Sequence, residues 1–581
     1  MRDKMKARTM VFLFNIKTFR AGLSPVAARE DARPPAQSME GKQKSWRAGV
    51  LASRNRKWGI TAALLLAPRV VIGGVNTWIA TDDGNASDGK NWSLGRVPLA
   101  TDEILLDGSA RGNLAWDATP ENGLPVTVAA WTQKEGYTGV VQFNTTYDET
   151  LFPVFTIAGN AVVENGAWTH HANFDTAEWR LKIRVNGNMV FGANASIDLR
   201  QRGFRPWNGP GFGGKGDWGG GSAMAGEASG GFWNPDDYQL KTYGLVRAPF
   251  LIGSGTEYEP GAGAVWLEVA GHLELDGSIV ADGTANQREG HGGTSGGAVY
   301  VKAGTLSGNG RISANGESHG NGCGGGGRIA LVSASPLPGN LECRATGRTG
   351  ARASLTGAGT IFYGADDLRG IVLVDNPPFE QTRLSTHLPA NRVEDQNENL
   401  RFTDWVVSRH GKLKLQAGVA INSLTLDGEN AQLDLNGHEL MLYALDVNGT
   451  AYTNGLYTAD ALGAQQIFGA GRVNLGGFSI VTNGPPRMDG TNIVLPCDVL
   501  SAHGSTTLLL YYGPSDKKTD ADAWAHCVVL DEEASAGPFT HAVPAPEGGG
   551  ILVYRYAVSN ETGVTWSPWS SSMFMRAPPE K

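Results

Sequence analysis

A motif that recurs about every 30 residues places the strongest limit on how this chain can fold. Four segments begin with glycine and continue with alternating side chains: GAVWLEV from Gly263, GAVYVKA from Gly297, GRIALVS from Gly327 and GTIFYGA from Gly359. A second strand-like block follows each of the first three, in GSIVADG, GRISANG and the less regular LECRATG. Such periods are typical of stacked coils, because one repeat cannot bury its own apolar face. The repeat predicts a right-handed parallel β-helix over residues 180–380.

Alternation within each block predicts which side chains face the interior. Successive residues of a strand point to opposite faces. One set is aliphatic throughout and is expected to form the core: Val265, Leu267, Val269, Val299, Val301, Ile329 and Leu331.

Glycine is unusually frequent, with 80 in 581 residues, about twice the usual share of about 7%. Hydrophobic residues make up 41% and charged residues 18% of the chain, so disorder throughout is not expected. We expect the glycines to occupy loops between coils, where they supply positive φ angles and let neighbouring backbones approach closely.

The N-terminal residues 1–74 are basic and the remainder is acidic. Within this leader, SRNRKWGITAALLLAPRVVIGG has the charged start, the short apolar run and the small final residues of a secretory signal peptide. Cleavage is expected near Gly73 or Gly74, and translation starts at Met1 or Met39. The apolar run is too short to span a bilayer, so no transmembrane helix is predicted. An acidic body also argues against nucleic acid as a partner.

Two further stretches carry a resemblance to a known family. Residues 180–365 have the order of a Gly-rich insert, a YG…P…GSG segment and then GGAI-type coils, and this order resembles secreted bacterial Gly-rich surface proteins. The segment at 76–108 looks like the opening of autotransporter-type β-helical passengers, through Trp78, Trp92, Gly95, Pro98 and Asp102. The resemblance implies a parallel β-helix at the cell exterior, with residues 75–179 as its N-terminal cap and first β region.

The C-terminal third divides into two expected domains. Residues 381–482 alternate again, with turns at Asp427-Gly428, Asn436-Gly437 and Asn448-Gly449, and predict a second β-solenoid-like block. Residues 483–581 look like a fibronectin type III-like antiparallel β-sandwich, whose core would include Tyr554 and Tyr556. Whether Cys497 and Cys527 pair stays open. The fold class is all-β.

One group of charged residues could carry chemistry. Asp198, Arg200 and Arg202 alternate in IDLRQRG, so they share one strand face, as in β-helical polysaccharide lyases or glycoside hydrolases. Charged residues at outward positions are also what any solvated strand shows. The favoured function is therefore non-catalytic: adhesion, surface structure or glycan contact, with an enzyme of those two classes as the alternative.

Aromatic residues in the Gly-rich insert form a second candidate site. Trp207, Trp218, Trp233 and Tyr238 would hold a ligand by ring stacking, as sugars are often held. The competing interpretation is that these rings fasten the insert to the helix. The expected partner is an extracellular polysaccharide or cell-surface component, and no metal or cofactor is predicted, because no His/Cys cluster has zinc spacing.

Overall fold

The structure is a computed structural model and describes residues 73–575. The following residues within that range are not described: 149–153, 213–220, 229–241, 286–291, 320–321, 350–355, 377–383, 391, 396–397, 477–478, 503, 547, 561–562 and 568. The protein is nearly all-β, with 3% helix, and its main body is a parallel β-solenoid of about 12 turns.

In the described residues, twenty strands, β1 to β20 in chain order, build the first solenoid and a small hairpin on it. They are Val75–Trp78, Gly84–Asn85, Glu103–Leu106, Leu114–Trp116, Thr127–Val128, Ala130–Gln133, Val140–Phe143, Phe155–Ile157, Ala161–His170, Leu181–Val185, Met189–Asp198, Ala264–Leu275, Ser278–Val280, Ala298–Ser307, Arg311–Ser313, Ser318–His319, Gly322–Cys323, Arg328–Ser333, Glu342–Arg344 and Thr360–Gly364. A 3-10 turn, Gly89–Asn91, follows β2.

Parallel pairing arranges these strands in three ladders around one core. Ladder A joins β1, β3, β6, the first parts of β9 and β11, and the last parts of β12 and β14. Ladder B joins β2, β4, β7, the last parts of β9 and β11, then β13, β15 and β19. Ladder C joins β5, β8, β10, the first parts of β12 and β14, then β18 and β20.

The predicted interior is confirmed. All seven aliphatic residues assigned to it are buried in one continuous core, and they stack in register, with Val265 beside Val299 and Val299 beside Ile329. Nearer the N-terminus this core is aromatic. Its rings contact one another edge to face or, between Trp116 and Trp131, at a tilt. The centroids lie 5.1–6.2 Å apart, in the order Trp78, Trp92, Trp116, Trp131, Trp168 and Phe191.

The four repeat glycines form a column immediately before the strands of ladder C. The backbone N–H groups of Ala298, Arg328 and Thr360 each donate to the glycine carbonyl of the preceding coil. A Cβ atom at Gly297 would overlap the carbonyl oxygen of Gly263, and the same overlap recurs up the column. None of the four has a positive φ, so close approach of backbones explains these glycines.

The open N-terminal edge of ladder A is covered by residues 91–94. The N–H of Ile79 donates to the carbonyl of Asn91, and the N–H of Ser93 donates to Thr77. Below them, the Asp102 carboxylate binds the Arg96 guanidinium and accepts the N–H groups of Gly74 and Leu99. This arrangement caps a strand edge that would otherwise be free to pair with another chain.

A second parallel block begins at Gly370. Its first strand runs antiparallel to the last strand of the first solenoid. Its strands, β21 to β31, are Gly370–Asn376, Thr386–Leu388, Thr403–Arg409, Lys412–Leu415, Val419–Asp427, Gln432–Asp434, His438–Val447, Thr450–Ala451, Gly455–Tyr457, Ile467–Phe468 and Gly471–Leu475, with a helix, Ala459–Leu462, and a 3-10 turn, Val393–Asp395. β21 pairs antiparallel with β20, and later pairings within the main ladders of the block are parallel. The strand direction therefore reverses between β20 and β21, where the two blocks join.

Two antiparallel sheets complete the described chain. Their strands, β32 to β40, are Ile480–Asn483, Arg487–Asp489, Asn492–Ser501, Thr507–Gly513, His526–Asp531, Gly537–Pro544, Gly550–Asn560, Gly563–Trp566 and Ser571–Met575, and a 3-10 turn spans Ala521–Ala523. The expected core residues Tyr554 and Tyr556 are fully buried between the sheets. Cys497 is buried and Cys527 is exposed, and neither forms a disulfide.

Candidate functional site

The outer face of ladder B carries a polar groove. The inward residues of this ladder, among them Val141, Trp168 and Ile197, are buried in the core. Strand alternation therefore turns Gln142, Thr169 and Asp198 to the outside. Two adjoining depressions of about 420 and 390 Å³ lie on this face. They share Val140, Thr169 and Arg202 and are otherwise lined by Asp83, Gly84, Asn85, Asn113, Leu114, Ala115, Gln142, Ala167, Asp198, Arg200, Gln201 and Thr284.

The structure brings the three predicted charged residues together at this groove. The Arg200 guanidinium grips the Asp198 carboxylate with two bonds, Nε to Oδ1 at 2.9 Å and Nη2 to Oδ2 at 2.6 Å. Burial alone would raise the pKa of Asp198, but the Arg200 hydrogen bonds and the charges of Arg200 and Arg202 lower it overall. Asp198 is therefore an ionised carboxylate whose two oxygens are both engaged.

Arg202 stands between the two depressions. Its Nε donates to the Thr169 hydroxyl at 3.1 Å, and its backbone carbonyl accepts from Asn173. Arg202 and Arg200 are the two cations of the described lining, and Arg200 is the one that has a carboxylate partner. The positive charge of Arg202 therefore faces the groove beside a neutral hydroxyl.

His170 lies beneath Arg202 and is held neutral. Its Nδ1 bonds to the carbonyl of His171, and its Nε2 accepts the N–H of Ala264. Complete burial, together with the nearby charge of Arg202, lowers the pKa of His170 to about 3. A neutral, buried imidazole supports the strand but offers no proton to a ligand at neutral pH.

The carboxylates at the ends of the groove accept hydrogen bonds from the neighbouring coils. Asp83 accepts both the N–H and the side-chain amide of Asn113, and those hydrogen bonds lower the pKa of Asp83. Asp282, just beyond Asp198, accepts from the N–H and amide of Asn315 and from the Ser313 hydroxyl. Both side chains therefore tie one coil to the next.

Of the predicted aromatic site, Trp207 is the member that the structure describes. Its ring is 39% exposed and contacts Phe212 edge to face at 5.7 Å. Trp218, Trp233 and Tyr238 lie outside the described residues. Other parts of the insert cover the outer face of ladder C, where Phe204, Met224, Tyr243 and Ile252 pack on Ala264 and Ala298.

A buried arginine fastens this cover. Arg328 begins β18 and is fully buried, and its Nε donates to the carbonyl of Tyr243 while its Nη1 donates to Thr360. Burial lowers its pKa to about 10, opposed by the nearby charges of Glu398 and Asp395. The insert is thus attached to the solenoid by packing and by hydrogen bonds.

Sequence reasoning missed the neutral half of the groove. Asn113, Gln142 and Thr169 come from coils that lack the glycine repeat, so nothing in the sequence put them in register with Asp198. Their only signal is alternation within very short strands, as in VVQF of β7.

No family model, curated protein or solved structure matches this chain. Among the residues that the structure describes, no helix is long and apolar enough to cross a membrane. The same part of the chain contains no group of three or more His, Cys, Asp or Glu side chains placed to hold a metal ion.

Proposed function

We propose that this protein is a secreted or cell-surface β-solenoid that contacts glycans without cleaving them. The observation that carries the proposal is the groove on ladder B, an open polar channel on a rigid sheet face. Its amide side chains, Asn85, Asn113 and Gln142, suit the hydroxyl groups of sugars. Its size is in the range of ordinary ligand sites.

The state of the carboxylates favours contact over hydrolysis. Glycoside hydrolases generally need a pair of carboxyl groups, one of them protonated as the general acid. The pKa values of Asp83 and Asp198 are both lowered, so neither holds a proton near neutral pH. The alternative of a polysaccharide lyase or glycoside hydrolase draws its support from Asp198, Arg200 and Arg202, which share the groove.

Binding and cleavage can be separated in one experiment. The purified chain would be incubated with polyuronates, sulfated glycans and neutral glycans, and binding would be followed by affinity electrophoresis. We expect retardation by at least one glycan and no new unsaturated or reducing ends. New ends that disappear in Asp198→Asn would overturn the non-catalytic proposal and establish the enzyme alternative.

The exterior location is part of the proposal. Its support is the signal-like segment before Gly73, together with the start of the described compact unit at that residue. The first strand of ladder A, β1, begins at Val75, so cleavage near Gly73 or Gly74 would leave all strands of this ladder intact. N-terminal sequencing of the mature protein from culture medium or the cell surface tests this, and an uncleaved cytoplasmic chain would contradict it.

The C-terminal sheets fit a fibronectin type III-like module within the same proposal. Support comes from the strand pairing, in which β34 pairs with β37 and β35 lies between β36 and β38. Together with the autotransporter-like opening at Trp78 and Trp92, this module fits a protein built for contact at a surface.

A further inference from the structure

The groove runs along the axis of the solenoid. Its described lining comes from six successive coils, beginning at Asp83 and ending at Thr284. Neighbouring strands lie about 4.8 Å apart, so five steps between coils make a channel of about 24 Å. A ligand that fills such a channel is long and narrow. A chain of several sugars has that shape, whereas a single sugar would contact only two or three coils.

The charge of the lining changes along the channel. Near the first coils, the Asp83 carboxylate lies beside amide side chains. Near its middle, Arg202 carries a positive charge, and its single side-chain partner among the described residues is the neutral Thr169 hydroxyl. Arg200 is less available to a ligand, because its Nε and Nη2 groups already donate to the Asp198 carboxylate.

A guanidinium in this position is suited to an acidic group. Arginine presents planar, paired N–H donors that match the two oxygens of a carboxylate or sulfate. Arg200 and Arg202 share the single carboxylate of Asp198, which leaves one positive charge in excess. A neutral glycan that displaces water from the groove would leave this excess charge unbalanced, which is unfavourable.

We propose that the groove takes a linear acidic polysaccharide, extended along the solenoid axis, with one carboxylate or sulfate on Arg202 and neutral hydroxyls beside Asp83. This inference rests on the proposed glycan-contacting function and names the class of glycan. No bond is made or broken.

The test is calorimetric titration of the full chain with oligosaccharides of defined length. The probes are oligogalacturonates of two to eight sugars, a sulfated oligosaccharide series and neutral cello-oligosaccharides of matched length. We expect affinity to rise with length until the channel is filled, at about five sugars, and acidic probes to bind about tenfold or more tightly than neutral ones.

Arginine variants test the contact itself. Arg202→Gln should lower the affinity for acidic probes by about tenfold and remove their advantage over neutral probes. Arg202→Lys keeps the charge but not the paired donors. Its affinity for acidic probes should lie between that of the parent and that of Arg202→Gln. Arg311→Gln is the matched control, because Arg311 is exposed at the start of β15 in the same ladder but outside the groove, and it should bind like the parent.

Each binding result supports or overturns one of the two proposals. Equal affinity for neutral and acidic probes, or unchanged binding in Arg202→Gln, would overturn the acidic-glycan inference and leave the glycan-contacting function standing. Binding of dimers as tightly as hexamers would overturn the extended mode. Binding to none of the probes would overturn both proposals. A preference for the sulfated series would support the inference and identify sulfate as the acidic group.

Discussion

At the scale of single residues, the interior of ladder C tolerates no charge. Val301 is buried between Leu267 and Leu331 of the neighbouring coils. Val301→Asp would bury an unpaired carboxylate and should lower the free energy of unfolding by several kcal/mol. Thermal melting measures the loss. Thr305→Asp, at an exposed position on the same strand, serves as the control, and a melting temperature for Val301→Asp equal to that of the control would place this face outside.

Asp102 should make the N-terminal cap sensitive to acid. Burial alone would raise its pKa, but the hydrogen bonds from Arg96, Leu99 and Gly74 lower the pKa overall. A lowered pKa in the folded state means that the carboxylate stabilises the fold above its unfolded pKa of about 3.9 and that this stability is lost as the pH falls through the folded value.

We therefore expect the parent chain to lose stability below about pH 4. Asp102→Asn should cost about 1–3 kcal/mol at pH 7 and should show a weaker dependence on acid. Melting curves from pH 7 down to about pH 2 test both statements. If the stability of parent and variant fell equally with pH, protonation of Asp102 would not be the cause of the acid sensitivity.

At the scale of elements, the glycine column sets how closely coils stack. Gly297→Ala would push a methyl group into the Gly263 carbonyl, and overpacking of this kind typically costs about 1–3 kcal/mol. Gly339→Ala is the matched control, because nothing lies within 4 Å of a Cβ built there. Chemical denaturation of the two variants compares them. Equal midpoints would show that the coils can separate without cost.

Side-chain oxygens form a second type of link between coils. Asn315 is buried, and its Oδ1 accepts the N–H of Thr346 while its amide donates to Asp282. Asn315→Ala would leave these groups without partners and should cost about 1–3 kcal/mol. Asn340→Ala, at an exposed position, should change stability by less than about 0.5 kcal/mol. Hydrogen exchange at the Thr346 amide checks the local effect. Protection equal to that in the parent would show that this N–H has found another acceptor.

The sequence predicted ladders B and C where glycines mark the strand starts, and it missed ladder A. The chain passes from ladder C to ladder A inside β12 with only a shift of register between Val269 and His272, so alternation continues without a turn signal. The N-terminal half of the groove escaped prediction because its coils lack the repeat. The reversal between β20 and β21 also escaped prediction, because a turn signal such as Asp366-Asp367 does not show whether the next strand runs parallel or antiparallel.

At the scale of the whole molecule, the insert both covers the solenoid and displays Trp207. Trp207 does not line the groove, so it would be a second contact on the insert. Stacking of one ring on one sugar contributes about 1 kcal/mol, so Trp207→Ala should weaken the binding of a glycan that contacts the insert about fivefold and leave the melting temperature nearly unchanged. Trp569→Ala is the control, because that ring is 40% exposed on the C-terminal sheets. A variant of Trp207 that loses stability and keeps its affinity would show that the ring is packing.

Four long connections of the first solenoid leave from one corner, between ladder B and ladder C. They span residues 199–263, 281–297, 314–327 and 345–359, yet the strands on either side keep the same stacking. Chain length at this corner is thus decoupled from the architecture. Homologous chains could gain or lose whole segments there during evolution, and a foreign peptide grafted into it would be carried on an unaltered support.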